Sequence, residues 1–293
     1  MPSFSVVVPT YNRPTGLNRC LQALAAQTYP CESFEVIVVD DDSPTPQTEV
    51  IKEFAGKLDV TLISQPRSGP GAARNLGAAR ARGQFLAFTD DDCQPTPDWL
   101  TNLAARFEQT PTHLIGGHTV NGLPDNIYSE TSQVLLDVVY AHYNLNRADG
   151  RFFATNNVAL PAEQFHATGG FDPSFRFAED RELCDHWLHR GYQLTYAPEV
   201  VVRHLHQLNL GKLWWQHFKY GCGAYRFHHL RARRGWGSFR PESSFYSALF
   251  RSPFRRFQGV QALQVEALLF VAQVANAVGF FWQAARGYDR PPS

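Results

Sequence analysis

The sequence predicts an α/β fold built on a mainly parallel, doubly wound sheet, and three observations predict it. Over the first ninety residues, short apolar runs alternate with segments carrying apolar residues at helical spacing, the pattern that parallel βαβ units produce. The polar and charged clusters follow the apolar runs, at the strand ends where open α/β sheets bind ligands. One run, Phe85-Leu86-Ala87-Phe88, is bounded by Gly83 and stops at three consecutive carboxylates, Asp90, Asp91 and Asp92. Such a run reads as a buried strand that ends at a rim.

Taken in order, Phe4 to Val8 is the first strand. It runs straight into Pro9 without a basic stretch and a long apolar segment, so it reads as a strand rather than a secretion signal. Leu17, Leu21 and Leu24 mark a helix, Phe34 to Val39 a strand, Thr48 to Phe54 a helix, Val60 to Ile63 a strand and Ala72 to Arg82 a helix. The loops Thr10-Tyr11-Asn12-Arg13, Asp40-Asp41-Asp42-Ser43 and Gln65-Pro66-Arg67 then converge with the acidic triplet on one crevice. Three adjacent aspartates repel unless a cation or a donor-rich ligand neutralises them, and hard carboxylate oxygens suit Mg²⁺ or Mn²⁺ carrying a phosphate. The same triplet also reads as a solvated turn capping a helix to Gln109, with Thr96 as N-cap and Pro97 first in the helix.

The second half alternates less regularly. His113 to Val120 reads as a strand and Ile127 to Tyr143 as a helix. Asn156 and Asn157 head a short strand, where they either hold ligand hydroxyls or close a turn, and Gly169 to Pro173 is dense in turn residues. Glu179 and Asp180 open a helix reaching Gly191, where the helix dipole favours acids with or without chemistry. Strand-like Tyr192 to Tyr196 and Val200 to Val202 lead to His204 and His206. Two apart on a strand, these face one side, as metal ligands or as hydrogen-bonded structural residues.

Several classes are excluded. No GxGxxG follows the first strand and no GxxxxGK[ST] occurs, which argues against a dinucleotide cofactor or a P-loop. Gly69-Pro70-Gly71 matches neither pattern; it lets the backbone turn, with Arg74 and Asn75 either in the crevice or on a surface helix turn. The five cysteines are scattered and never paired as CxxC, so neither a zinc site nor a disulfide framework is indicated and a reducing, cytoplasmic setting is the default.

The chain carries 27 basic and 27 acidic residues, but the balance is uneven. Between Gly211 and Val260 ten Lys or Arg, Arg240 among them, stand against Glu242 alone, interleaved with aromatics such as Trp214, Trp215, Phe239 and Phe254. Without a nucleic-acid motif, this mixture suits an anionic membrane surface. Ala267 to Trp282 is apolar yet sixteen residues long and broken by Gln273 and Asn276, short of the roughly 20 residues a spanning helix needs. Glu266, Gln273, Asn276 and Gln283 share one arc, leaving a wide apolar face for a membrane interface, a partner or the core.

From Phe4 to His206 the chain resembles the family 2 glycosyltransferases of the GT-A fold. Seven motifs in order carry the resemblance: Val6 to Arg13, Val38 to Ser43, Gly71 to Gly77, Asp90 to Asp92, Gly169 to Asp172, Glu179 to Leu183, and Gly191-Tyr192. Asp42 stands where the family usually has Gly or Asn, and Ala154-Thr155 where a glycine is common. The resemblance implies a catalytic domain over residues 1–208, with a nucleotide-binding half (1–92) and an acceptor-binding half (93–208). The basic, aromatic, helical extension over 209–293, read on its composition, would contact a membrane peripherally, on its inner face, through 211–285.

The resemblance further implies a metal-dependent inverting transferase moving a sugar from a nucleotide-diphosphate donor, UDP-linked, to a glycan or lipid-linked acceptor. Pro9, Thr10, Tyr11, Arg13, Asp40, Arg67, Arg74, Asn75, Asp90, Asp91, Asn156 and Asn157 would contact the nucleotide sugar. Asp92, Asp90 and His204 would hold Mn²⁺ or Mg²⁺, Asp180 would act as base, and Glu179 would orient the loop or sugar. A non-catalytic binding module on the same fold would show degraded carboxylates, and a nucleotidyltransferase would carry a glycine-rich N-terminal loop; Asp90, Asp92 and Asp180 are intact and Pro9 to Arg13 lacks glycine.

Overall fold

Strands β1 (Phe4–Thr10) and β2 (Phe34–Asp40) are runs of apolar and β-branched residues, buried along their whole length, as expected of strands covered on both faces. The computed structural model describes residues 3–237 and 242–287; Phe239 and Arg240 of the basic, aromatic stretch lie outside them. β1 pairs in parallel with β2, from Phe4 beside Phe34 to Thr10 beside Asp40, and also with β4 (Phe85–Phe88). β3 (Val60–Ser64) extends the parallel half beyond β2. This register sets the polar loops after β1, β2 and β4 side by side at one edge.

The remaining strands make the sheet mixed. β7 (Val158–Pro161) runs antiparallel to β4 and to β6 (Leu114–Asn121), and β5 (Cys93–Pro95) antiparallel to β8 (Leu194–His204). The eight strands lie in the order β3-β2-β1-β4-β7-β6-β8-β5. Helices α1 (Pro14–Ala25), α2 (Thr48–Lys52), α3 (Pro70–Arg80), α4 (Trp99–Gln109), α6 (Ala162–Thr168) and α7 (Glu179–His189) connect them. α3 lies close on the sheet: a Cβ at Gly77 would collide with the Val7 side chain.

Four local expectations change. Residues 93–95, taken as a lead into a helix, form β5, and Thr96 N–H donates to the Val201 carbonyl; α4 therefore starts at Trp99 with Asp98 in the N-cap position. The acidic triplet accordingly precedes a strand and does not cap α4. The break expected within residues 192–202 is absent, because Pro198 precedes the Val202–His204 stretch that pairs with β5. β8 ends at His204, so the strand alternation does not extend to His206. α6, not anticipated in the sequence, closes on Gly169, whose φ of 88° is left-handed.

Contacts divide the chain into two units: Met1–Val120 with Asn146–Ser174 and Asp180–Leu205, and Asn121–Leu145 with Phe175–Glu179 and His206–Ser293. Residues 121–145 and 175–179, which the sequence assigns to the acceptor-binding half, fall in the second unit. That unit holds α5 (Ile127–Tyr143), α8 (Leu210–Arg233), α9 (Ser243–Arg256) and α10 (Gly259–Arg286). α8 and α10 pack backbone to backbone: a Cβ on Gly221 would meet the Asn276 carbonyl, and one on Gly279 the Phe218 carbonyl. α10 is 28 residues long, with a segment of mean hydropathy 1.6, and by length and composition it could cross a membrane. Gln273 and Asn276 interrupt the apolar run of residues 267–282 but not the helix, which extends beyond it at both ends.

Charge at the amino ends of the strands is organised around Glu35. Its carboxylate accepts from Ser5 Oγ at 2.6 Å and from Arg82 N–H and Nε, each at 2.7 Å. Burial pushes the Glu35 carboxyl up, but these donors and the Arg82 charge outweigh it and hold it below the usual range. Glu35→Ala should therefore lower unfolding stability by about 3 kcal/mol, measured by urea titration. A loss under about 1 kcal/mol would mean that the network contributes little.

In the second unit His217 is buried, neither ring nitrogen has a hydrogen-bond partner among the described residues, and burial pushes its pKa down to about 4. An unfolded histidine titrates near 6.5. Between these values the unfolded state takes up a proton that the folded state refuses, so stability is full above about pH 6.5 and drains towards pH 4. The total is about 3 kcal/mol. His217→Phe should flatten that part of the stability profile, followed as urea midpoint against pH.

Candidate active site

The rim after β4 is held by two arginines. Arg13 donates to Asp92 Oδ2 at 2.7 Å and to Asp91 Oδ1 at 3.1 Å, while Arg74 donates to Asp90 Oδ1 at 2.6 Å. Thr10 Oγ1 adds a 2.8 Å bond to Asp91 Oδ2. Each carboxylate thus has a cationic neighbour, which offsets the repulsion built into three adjacent acids. Asp91 is buried, and burial pushes its pKa up to about 6 against the opposing charge of Arg13. Arg74 is itself buried, supplied to the rim by α3 with its guanidinium 5.6 Å from the Phe171 ring centre.

The next two loops are tied together by their own polar groups. Asp41 accepts from Gln65 Nε2 and from the backbone N–H groups of Ser68 and Gly69, anchoring the loop after β2 to the start of α3. Asn12 N–H donates to Ser43 Oγ at 2.8 Å, and Ser43 donates from N–H and Oγ to Asp40 Oδ1. Both loops use left-handed backbone at a non-glycine residue, Asn12 at φ 52° and Asp42 at φ 71°. That geometry explains why Gly or Asn is usual at the position of Asp42. Arg67 lies over the Tyr11 ring at 3.9 Å and donates to its hydroxyl at 2.7 Å. Asp40, Asp42, Ser43, Pro46, Ser64, Gln65 and Pro66 line a cavity of about 390 Å³ beside these groups.

Among the other residues named from sequence, the amides of Asn75 and Asn157 are held in structural hydrogen bonds. Asn75 donates to the Phe171 carbonyl and accepts from the Phe171 N–H, clamping the segment after α6 to α3. Asn157 is buried, accepting from Trp99 Nε1 at 2.9 Å and donating to the carbonyls of His118 and Val200. Asn156 accepts from Thr119 Oγ1, and Pro9 is buried within β1. Glu179 is the first residue of α7, immediately after Ala178, whose φ of 66° is left-handed.

Pairing of β5 with β8 sets Cys93 opposite His204. His204 Nε2 lies 3.3 Å from Asp92 Oδ1, and Asp92, Cys93 and His204 each offer a donor atom within 4.8 Å of the others. Burial works against a charge on His204, but Asp92 and Asp90 outweigh it and raise its pKa. Cys93 was not named as a site residue from sequence, although it directly follows the triplet. Asp180 follows on α7, accepting from the Arg181 N–H at 2.7 Å. Burial pushes its carboxyl above the usual range, and the charges of Arg181 and Arg74 oppose that rise.

Residues 5–176 match the glycosyl transferase family 2 profile. The chain belongs to that family. Among known relatives, the glycosyltransferase AglE of Haloferax volcanii is 29% identical over 234 residues, which make up 76% of this chain and 73% of AglE. Other relatives are longer, and the chain spans 43% to 54% of four of them. A mannosyltransferase from Pyrobaculum calidifontis, solved with GDP-Man and Mn²⁺, aligns at TM-score 0.67 and 19% identity over 96% of this chain and 87% of its own. Staphylococcus aureus TarS 1-349 with UDP-GlcNAc aligns at 0.54 and 18% identity over 98% and 91%. The fold is GT-A, and the chain is a nucleotide-sugar glycosyltransferase.

For a family 2 glycosyltransferase the donor set at the rim fits a divalent ion. A carboxylate and an imidazole 3.3 Å apart are both ligand types for divalent cations. The Cys93 thiol, pushed well above its usual range by burial and by Asp92 and Asp90, stays protonated and is a poor ligand for a hard ion. Asn157 stands apart from this set, its amide committed to Trp99 and two carbonyls. Asn157→Ala strands its three partners, two of them in buried bonds, and should destabilise the protein by about 3 kcal/mol. Thermal melting checks it; an unchanged melting temperature would leave Asn157 free for another role.

Proposed function

We propose that this glycosyltransferase moves a sugar, with inversion, from a UDP-linked donor to a hydroxyl of a glycan or lipid-linked acceptor, with Mn²⁺ or Mg²⁺ at Asp92 and His204. The observation that carries the reading is the position of Arg74. It pairs with Asp90 at the rim and lies within electrostatic reach of Asp180, so one buried guanidinium links the diphosphate side to the candidate base. The metal, when bound, offsets charge growing on the leaving diphosphate.

Each residue then has a defined task. Asp180 accepts the acceptor O–H proton while the acceptor oxygen bonds to the anomeric carbon; the bond from that carbon to the phosphate oxygen breaks, and its electron pair leaves with the nucleotide diphosphate. A raised pKa makes Asp180 a stronger base than an exposed aspartate, yet it must be ionised to act. Transfer should therefore fall as pH drops through that raised value. Arg13 and Arg74 supply positive charge for the phosphates, and Tyr11 under Arg67 offers a stacking face for the base or ribose. Asp40 takes its Ser43 bonds on Oδ1, leaving Oδ2 to accept from an N–H edge such as that of uracil.

Asp180→Asn should keep donor binding and lower kcat by roughly a hundredfold or more; undiminished transfer would remove Asp180 as the base. Calorimetry with UDP, GDP, CDP and ADP, with Mn²⁺ and with chelator, tests the donor and the metal. Metal-dependent, UDP-selective binding that Asp92→Ala or His204→Ala weakens at least about tenfold is the expected result. Selective GDP binding would overturn the base assignment alone, and nucleotide binding indifferent to chelator would overturn the metal.

A further inference from the structure

α10 is amphipathic in an inverted sense. The arc carrying Glu266, Gln273, Asn276 and Gln283, the natural candidate for a solvent face, overlaps the side that packs inward. Gln283 is fully buried, and the Asn276 carbonyl lies against Gly221 of α8. The side left open is apolar along its length. Val260, Leu263, Phe270, Val274, Val278 and Phe281 are exposed, Val260, Leu263, Phe270 and Phe281 at 60% or more. Ala267 and Ala277 complete the stripe. These residues fall within about 100° of arc and span roughly 30 Å of helix axis. No charged residue interrupts them.

We infer that this stripe is a docking surface for an anionic lipid bilayer, with α10 lying in the plane of the interface. Charge chooses between the possible occupants. Exposed Arg251 and Arg255 sit at the end of α9, which finishes at Arg256, three residues before α10 begins at Gly259, and exposed Arg286 closes α10. Exposed Phe254 stands between the first two. A second copy of the chain would set arginine against arginine in either orientation: Arg255 beside Arg255 if parallel, Arg286 beside Arg255 if antiparallel. Of the positions flanking the stripe, Gln264, Val271 and Gln273 are uncharged and Glu266 is acidic with no basic counterpart on the opposite flank, so the paired charges that fix register between helices are missing. A layer of anionic headgroups answers both cationic ends at once.

Spanning is disfavoured by what covers the other side of the helix. α8 packs along α10 through Gly221 and Gly279 and carries exposed Lys212 and Lys219 as well as buried His217 and Arg226. A transmembrane α10 would draw those groups towards the hydrocarbon or forfeit its packing on α8. An in-plane helix keeps that packing and removes only the open apolar face from water.

Co-sedimentation of the full chain with phosphatidylcholine vesicles, with and without about one third phosphatidylglycerol, tests the inference. Partition onto the anionic vesicles is expected. The pair Phe270→Asp and Phe281→Asp should weaken it roughly tenfold or more with helical circular dichroism retained. Should that variant misfold, Arg251→Gln with Arg255→Gln leaves the stripe intact and should remove most of the preference for anionic vesicles. Absence of vesicle binding by the unaltered chain overturns the inference. So does binding that both variants retain, or a dimer in light scattering that the aspartate pair dissociates, which would assign the stripe to a second copy.

Discussion

Three adjacent aspartates at the end of a buried strand are unfavourable in isolation, and the surrounding sheet and helices are arranged to offset them. β4 ends in the carboxylates; β1 delivers Arg13 and Thr10 from one side, and α3 delivers Arg74 from another. Arg74 reaches Asp90 because Gly77, one turn further along α3, lets that helix settle on Val7 of β1. The charge balance at the rim therefore rests on a steric detail in the layer beneath it. Loss of that close approach would displace the cation that one of the acids requires.

The register of β1 against β2 and β4 then brings the other polar loops to the same edge. Thr10 stands level with Asp40, and the loop beyond each is pinned by a side chain of a neighbouring segment: Ser43 under Asn12, and Asp41 over the start of α3. Polar groups that would otherwise face solvent are thus committed before any ligand arrives.

Much of the parallel half was legible in the sequence, because its strands are buried on both faces and read as continuous apolar runs broken by polar loops. The rim acids and their arginines were legible for the same reason: each closes a strand or opens a helix at a motif. β5 was not, since Cys93-Gln94-Pro95 has no period of its own and becomes a strand by pairing with β8. Asn157 was read with its neighbour because adjacent amides look alike; burial beside Trp99 is a tertiary fact. On α10 the polar arc was visible, but which side it faced was not, since Gly221 and Gly279 decide the packing from two different helices.

The strands also separate two sets of charges. Ser5, Glu35 and Arg82 form a network at the amino ends of β1 and β2, and Arg13, Arg74 and the three aspartates gather at the carboxyl ends. A seven-residue strand sets these groups roughly 20 Å apart, which is more than two screening lengths of about 8 Å at physiological ionic strength. Substitutions at one end should therefore combine additively with those at the other. The amino-end network offers a place to adjust how firmly the sheet holds together without retuning the charged groups at the rim.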